Sequence, residues 1–415
     1  MDVGGVEREE SKFKLKLWPK SEKMACNETR PICGNCGRHG VPCVYNNSPS
    51  TSARQPSPNE RSFPPPKSKD LDLLADYRPT LFIPPPNDPN VQYLLSSMDS
   101  DDEKWEIPEG KPRRRLELRL QQNFIERTSQ TLSGCQNAPV REVWAVEVPK
   151  LAFSNDNVLY GMLALSALHL LKSEPENQEL RLARQAYKGL ALREHRRAIP
   201  GLSSDTADAV CYASTLVMTD AFARLQDRPL DPWTPPMEWI QMARGSGSVF
   251  GAAFDQINNI RTAKIMPVVD AEPQLTDATV LFAESNRRGL EHLLRQDLSN
   301  ERWDHDTQYA YQRALNYIGG VEKAVERGEH PLGTCRRMMA FALLGPKQFY
   351  LFVEEYRPRA LVILAHYFAI YSKMEDLWWI GNVARREIQG IQRVLPAEWQ
   401  GLMRAPLASV GLLAP

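Results

Sequence analysis

The residues best suited to chemistry lie in the stretch MACNETRPICGNCGRHGVPCVYNN, residues 24–47. Cys26, Cys33, Cys36 and Cys43 are separated there by six, two and six residues. Thiolates this close together bind zinc, because four sulfur ligands satisfy its tetrahedral preference. Cys33 and Cys36 form the usual two-residue chelate loop, and Cys26 and Cys43 sit symmetrically about it. The four could hold a single zinc, with His39 as a substitute for one of them. Seven cysteines in all, four of them inside eighteen residues, favour metal over disulfides in a reducing compartment. The amino-terminal MDVGGVEREESKFKLKLWPK is charged and has no apolar centre, so it is not a signal peptide. No apolar run is long enough for a membrane span. The chain is therefore expected inside the cell, where thiols stay reduced.

Other reactive patterns fail on their own spacing. GSGSVFG, residues 245–251, has no preceding strand and the wrong glycine intervals for a dinucleotide loop. Neither Ser246 nor Ser248 has a glycine two residues away on each side, as a nucleophile elbow needs. Seven histidines are scattered singly, and no His-Glu-x2-His occurs. No enzyme is expected. Cys135, Cys211 and Cys335 are far apart, and Cys211, in an apolar run, reads as core.

The elements around these residues fall into four pieces: 1–25, polar and patternless; 26–45, the cysteines; 46–112, a linker; and 113–415, a helical domain. Thirteen of the 32 prolines fall between Ser48 and Pro112, where lost backbone donors exclude regular structure, so a disordered, extended linker is expected. Two short apolar patches, 71–74 and 93–95, could dock on a neighbour.

From about Arg113 the texture is helical. Leu116, Leu120, Phe124 and Leu132 stand near helical spacing. The segment 157–173, NVLYGMLALSALHLLKS, is apolar almost all round, as a central buried helix is. An amphipathic helix follows and stops at Pro200; a second apolar one, TADAVCYASTLVMTDAFARL, has Asp205 or Thr206 available as a cap. MEWIQMARGSGSVFGAAF, PRALVILAHYFAIYSK and DLWWIGNVARREIQGIQRVL read as further helices, the last stopped by Pro396. Nothing alternates as a half-buried strand does, so the fold class is mainly α. Roughly 300 residues can bury ~75% of their unfolded surface, enough for one large core. Trp239, Trp378, Trp379, His366 and Tyr367 could line a pocket, but aromatics at helical spacing favour core, with His366 a hydrogen-bonded buried histidine.

The cysteine stretch resembles the second half of the fungal binuclear zinc-cluster transcription factors. In that family six cysteines hold two zinc ions; the third precedes an acidic residue and Arg-Pro, then Cys-x2-Cys-x6-Cys. Cys26, Cys33, Cys36 and Cys43 match the third to sixth cysteines, and Glu28, Arg30 and Pro31 match the signature between them. The helical piece is similar to the fungal-specific transcription factor domain of the sterol uptake control proteins, from about residue 116 to 400. LELRLQQNFIERTSQTLS, LAFSNDNVLYGMLALSALHLLK, MEWIQMARGSGSVF and RPRALVILAHY carry that resemblance in order. It implies an all-helical regulatory domain in a nuclear regulator of RNA polymerase II genes, with a hydrophobic small molecule or co-regulator as its input.

The departure from the family pattern matters as much. KLWPKSEKMA occupies the place of the first Cys-x2-Cys and its basic segment, the part that enters the major groove and reads CGG triplets in the family. An incompletely predicted first exon and a degenerate member are both compatible; the abrupt onset of the resemblance favours the former. As written, the chain is expected to hold one zinc at most. Residues 1–47 carry eight Lys or Arg against six Asp or Glu. Affinity for DNA comes largely from phosphate neutralisation, which Arg30, Arg38 and Lys23 supply only feebly. Weak or absent DNA binding is expected, and an interaction protein acting through partners is the alternative. The net charge of zero adds no field. Lys111 to Arg115 (KPRRR) could serve nuclear import or form a solvated helix start.

Overall fold

The computed structural model describes residues 110–287, 289–296 and 301–413. Among these residues there is helix and no strand, and ten helices have eight residues or more. They are α1 (Lys111–Asn123), α2 (Asp156–Ser173), α3 (Gln178–Ala198), α4 (Ala207–Ala223) and α5 (Met237–Phe254). Then come α6 (His305–Glu326), α7 (Pro331–Leu344), α8 (Lys347–Glu354), α9 (Pro358–Ile370) and α10 (Val383–Val394).

The packing of helix α2 explains why its sequence from Val158 to Leu171 is apolar apart from Ser166 and His169. One side, Leu163, Ala164, Ala167 and Leu170, packs on Leu120 of α1 and on Leu180, Ala183, Tyr187 and Leu190 of α3. The other side, Val158, Met162, Leu165 and Leu168, belongs to the main core, which runs on through α4, α5, α7 and α9. A helix with two buried sides has no use for an amphipathic pattern. Its one deeply buried hydroxyl clamps α1: Ser166 Oγ donates to Leu120 O at 2.6 Å and accepts from Asn123 Nδ2 at 3.0 Å. Each fully buried large apolar side chain contributes roughly 1.5–3 kcal/mol, so this shared helix is central to stability.

Caps and prolines set the boundaries. Asn177 accepts from Leu180 N at 3.1 Å and Asp304 from Thr307 N at 2.9 Å, opening α3 and α6. Pro331 and Pro358 occupy the first helical positions of α7 and α9, where a missing N–H costs nothing. Helix α3 ends at Ala198 and α10 at Val394, each just before its proline, as expected. Two expectations are corrected. Neither Asp205 nor Thr206 caps α4: the Thr206 hydroxyl turns back to Ser203, accepting from its N–H at 3.0 Å. The adjacent acid, Asp208, instead receives the N–H groups of Lys264 and Ile265 at 2.9 and 3.0 Å. The DLWWIGN part of the last segment is also not helix; turns fill 375–382, with Gly381 at φ +48° against the Gln226 side chain.

Among its described residues the stretch 255–304 has only short helical turns, and two arginines from long helices fasten it. Arg336 on α7 donates to Val268 O, Val269 O and Pro273 O at 2.7, 3.2 and 3.2 Å. Arg359 on α9, 1% exposed, donates to Leu293 O and, at 2.9 Å, to Arg295 O. Its Nε also meets Glu301 at 3.1 Å, which Arg357 and Tyr311 approach as well, at 3.3 and 2.5 Å. Trp303 and Trp399 rings lie 4.6 and 5.3 Å from its guanidinium, so the buried charge is covered by aromatic faces. Both arginines of the RPRALVILAHY phrase therefore work on a segment more than fifty residues upstream.

Candidate functional site

Cys26, Cys33, Cys36 and Cys43, together with Arg30, Arg38 and His39, lie outside the described residues, as do the linker and its apolar patches. The donor chemistry of the described domain still bears on zinc. Cys135, Cys211 and Cys335 are buried, and burial raises each thiol, Cys135 to about 12. Protonated thiols are poor metal ligands. Cys211 is core, as expected, with no exposed surface. Among the described residues no group of three or more His, Cys, Asp or Glu side chains could hold a metal ion. The other four cysteines, at 26, 33, 36 and 43, are two fewer than the six thiolates of a two-ion cluster.

The basic run opens α1. Lys111, Arg114 and Arg115 are exposed, while Arg113 Nε donates to Glu117 at 2.8 Å and Tyr187 Oη donates to the same oxygen at 2.9 Å. No acid stands in the first turn, so cations crowd the positive end of the helix dipole. The run is a solvated helix start in this structure.

The aromatic group is core. Trp239, Trp379 and Tyr367 are at most 2% exposed, and Phe222 lies 5.2 Å from Trp239 and 5.7 Å from Trp379. Tyr367 Oη donates to Met338 O at 2.9 Å and shares a second bond of 2.9 Å with Tyr371 Oη. Trp378 stands apart, half-buried and stacked on His169 at 4.4 Å. The tryptophan pair is tied to one residue: Trp378 Nε1 donates to Thr131 Oγ1 and Trp379 Nε1 to Thr131 O, both at 2.9 Å. His366 is buried as expected, but its Nε2 has no hydrogen-bond partner, contrary to expectation. Burial draws its pKa down to about 4, with the His292 charge adding to the effect, so the ring is neutral and the orphan nitrogen costs less than an imidazolium would.

GSGSVFG is the interior of α5, not a loop. Gly247 packs against the side chain of Leu343 on α7, whose Cδ2 would stand 2.5 Å from a Cβ placed there. Its backbone N–H groups are used in the helix and none is free to cradle a phosphate. Sequence reasoning did not register Lys188, Arg184, Asp220 and Arg224, which come together from α3 and α4. Among the described residues no helix is long and apolar enough to cross a membrane.

Comparison with known proteins joins the two ends of the chain. Residues 20–52 match the fungal Zn(2)-Cys(6) binuclear cluster domain, a module that binds two zinc ions, and residues 119–224 match the fungal specific transcription factor domain. The chain is 32% identical over 359 residues to the Zn(2)-C6 fungal-type transcription factor afumD of Aspergillus fumigatus, covering 86% of this chain and 84% of the relative. A Zn(2)-C6 fungal-type transcription factor of Gibberella zeae is 29% identical over 419 residues, 90% of this chain and 80% of the relative. Sterol uptake control protein 2 of Candida albicans is 23% identical over 377 residues, 86% of this chain but 48% of its own length. The two matched domains lie in this one chain, cysteine signature first and helical domain after, and the chain belongs to the fungal Zn(2)-Cys(6) transcription factor family, as a zinc-binding regulator of transcription.

Proposed function

We propose that the chain acts in the nucleus on RNA polymerase II genes through two parts of unequal strength. The first, 26–45, holds one zinc ion on Cys26, Cys33, Cys36 and Cys43. The second, 113–415, is the regulatory domain, joined to the first by the linker 46–112 and preceded by the polar residues 1–25. The ion supplies folding energy to the short module, ~10–16 kcal/mol in metal domains of this kind. Arg30 and Arg38 then offer two phosphate contacts on DNA. Two contacts give a shallow salt slope and weak affinity, and base reading needs side chains in the major groove, which this segment does not supply. The helical domain takes no catalytic part; it receives a hydrophobic effector or a co-regulator.

The observation that carries this reading is the spacing of the four cysteines, with Glu28, Arg30 and Pro31 between them. The absence of cysteine from residues 1–25 favours a second reading, in which the protein does not read DNA and works through other regulators. Zinc content and DNA retention of the purified full chain separate the two. One zinc per chain, lost in Cys33→Ser, together with salt-sensitive retardation of a CGG-containing duplex, supports the first. Zinc-free protein that still binds co-regulators supports the second. Two zinc ions per chain with nanomolar, salt-resistant, sequence-selective binding overturns the single-ion, weak-reader reading.

A further inference from the structure

The basic run that opens α1 continues along one side of the helix. Lys111, Arg115 and Arg119 are four residues apart, so they form one stripe with rungs about 6 Å apart along the axis. The stripe lines an open groove of about 380 Å3, together with Pro112, Leu116 and Glu179 of α3. Lys111 and Arg115 are exposed and have no ion pair among the described residues. Arg119 donates to Glu174, and its side chain stays 43% exposed. Like charges one turn apart repel, and no acid in the first turn answers the positive end of the helix dipole. This face is short of anions.

A matching sequence stands directly ahead of the helix. Residues 99–109, DSDDEKWEIPE, hold six acids against one lysine. Asp99, Asp101 and Glu103 alternate, and alternate side chains of an extended backbone share one side, about 6.7 Å apart. Over three rungs that makes about 13 Å against about 12 Å along the helix, a difference that long basic side chains absorb. Trp105 continues the same alternation, which suits the apolar Pro112 and Leu116 of the groove. Ile107, Pro108, Glu109 and Gly110 have the residue order of a type I turn, with Pro second and Gly fourth. Such a turn returns the acids along α1. A tether this short gives an effective concentration on the order of millimolar, so weak exposed ion pairs are enough.

We propose that residues 99–105 fold back along α1, with Glu103, Asp101 and Asp99 on Lys111, Arg115 and Arg119, and Trp105 beside Pro112. The contact withholds the basic run from other polyanions, nucleic acid included. It rests on these two pieces of the chain and not on the zinc segment.

Zero-length carbodiimide coupling of the full chain, read by peptide mass spectrometry, tests the contact. The reagent joins a carboxylate to an ammonium only where the two touch, so Arg115→Lys adds a second reporter one turn above Lys111. Links from positions 111 and 115 to Glu103, Asp101 or Asp99 are expected within single chains. They are expected to vanish near 1 M salt, where the screening length falls to about 3 Å. Masking is read separately, by low-salt binding of a short duplex without CGG. Asp99→Asn/Asp101→Asn/Glu103→Gln is expected to tighten that binding roughly fivefold or more. Asp70→Asn/Asp72→Asn/Asp76→Asn changes the net charge equally and is expected to tighten it much less. All six positions precede α1 in the sequence, so neither variant alters the helical core. No link from 111 or 115 to residues 99–103, links only between two chains, or equal tightening by both variants overturns the proposal. Links within one chain, with duplex binding unchanged by the first variant, uphold the contact and overturn its masking role.

Discussion

Replacing Arg228 with alanine strikes the one carboxylate that is wholly sealed from water among the described residues. Glu387 on α10 has no exposed side-chain surface, and Arg228 is 17% exposed. Arg228 Nε donates to Glu387 Oε1 at 2.6 Å and Nη2 to Oε2 at 2.5 Å, a two-pronged pair. Trp233 Nε1 adds a third donor to Oε2 at 3.0 Å. Alanine at 228 removes two of three donors and leaves an uncompensated buried charge, which costs about 3–5 kcal/mol. Glu387→Gln is the milder change. It keeps an acceptor for Trp233, and Arg228 keeps Thr234 O at 2.8 Å and some access to water. Its expected cost is roughly 1–2 kcal/mol. Urea unfolding followed by tryptophan fluorescence measures both, and a thermal scan of Arg228→Ala is expected to lose about 6–20 °C at 2–4 °C per kcal/mol. The double variant Arg228→Leu/Glu387→Leu, which removes both charges, is expected to recover most of the loss. Were Arg228→Ala to cost no more than Glu387→Gln, the asymmetry argued from burial would be wrong.

Three further outcomes are expected. Glu322, in the last turns of α6 with Glu326 one turn on, has its pKa pushed up to about 7 by burial and then by the Glu326 charge. Its folded value lies above the unfolded one, about 4.3, so the stability present below about pH 4 is lost as pH rises toward 7; Glu322→Gln is expected to gain roughly 1–3 kcal/mol at pH 8 and nothing at pH 4, and equal gains at both would refute this. Ser166→Ala removes the hydroxyl between Leu120 O and Asn123, and is expected to cost about 1–3 kcal/mol by denaturant titration, with faster amide exchange in α1. Gly319→Ala sets a methyl group against the backbone carbonyl of Asn286 and is expected to cost about 1–3 kcal/mol or more by thermal unfolding; no change in Tm would mean that the turn 284–287 has room to move off α6.

What the sequence disclosed, and what it withheld, follows from the range of the interactions. The helices α2, α4 and α9 announce themselves through unbroken apolar runs, because two-sided burial leaves a local mark. The four proposed zinc ligands stand out because chelation acts over a few residues, so their spacing leaves a local mark. Helices α6, α7 and α8, between residues 305 and 354, lie outside those expectations, although 338–344 and 349–353 are apolar runs of the same kind. DLWWI looked helical because Trp and Leu report burial, and here the indoles are buried by bonding to Thr131, 247 residues earlier for Trp378. Pairings such as Glu387 with Arg228, 159 residues apart, leave no local trace. Lys188 leaves no trace for the same reason: in an amphipathic helix a lysine reads as solvated, and only the packing of α3 beside Asp220 and Arg224 half-buries it.

The two arginine fastenings of the stretch 255–304 bear on how this chain tolerates change in length. Arg336 and Arg359 grip carbonyl oxygens at 268, 269, 273, 293 and 295, so the segment is held at points. A strand in a sheet would be held at every residue, and one inserted residue would shift its whole register. Here an insertion ahead of the first fastening, within the exposed run 258–262, displaces no partner of either arginine. The helices on either side are indifferent to the number of residues spanned there. Such a segment can acquire or lose residues, and new surface contacts with them, while the domain that carries it keeps its packing.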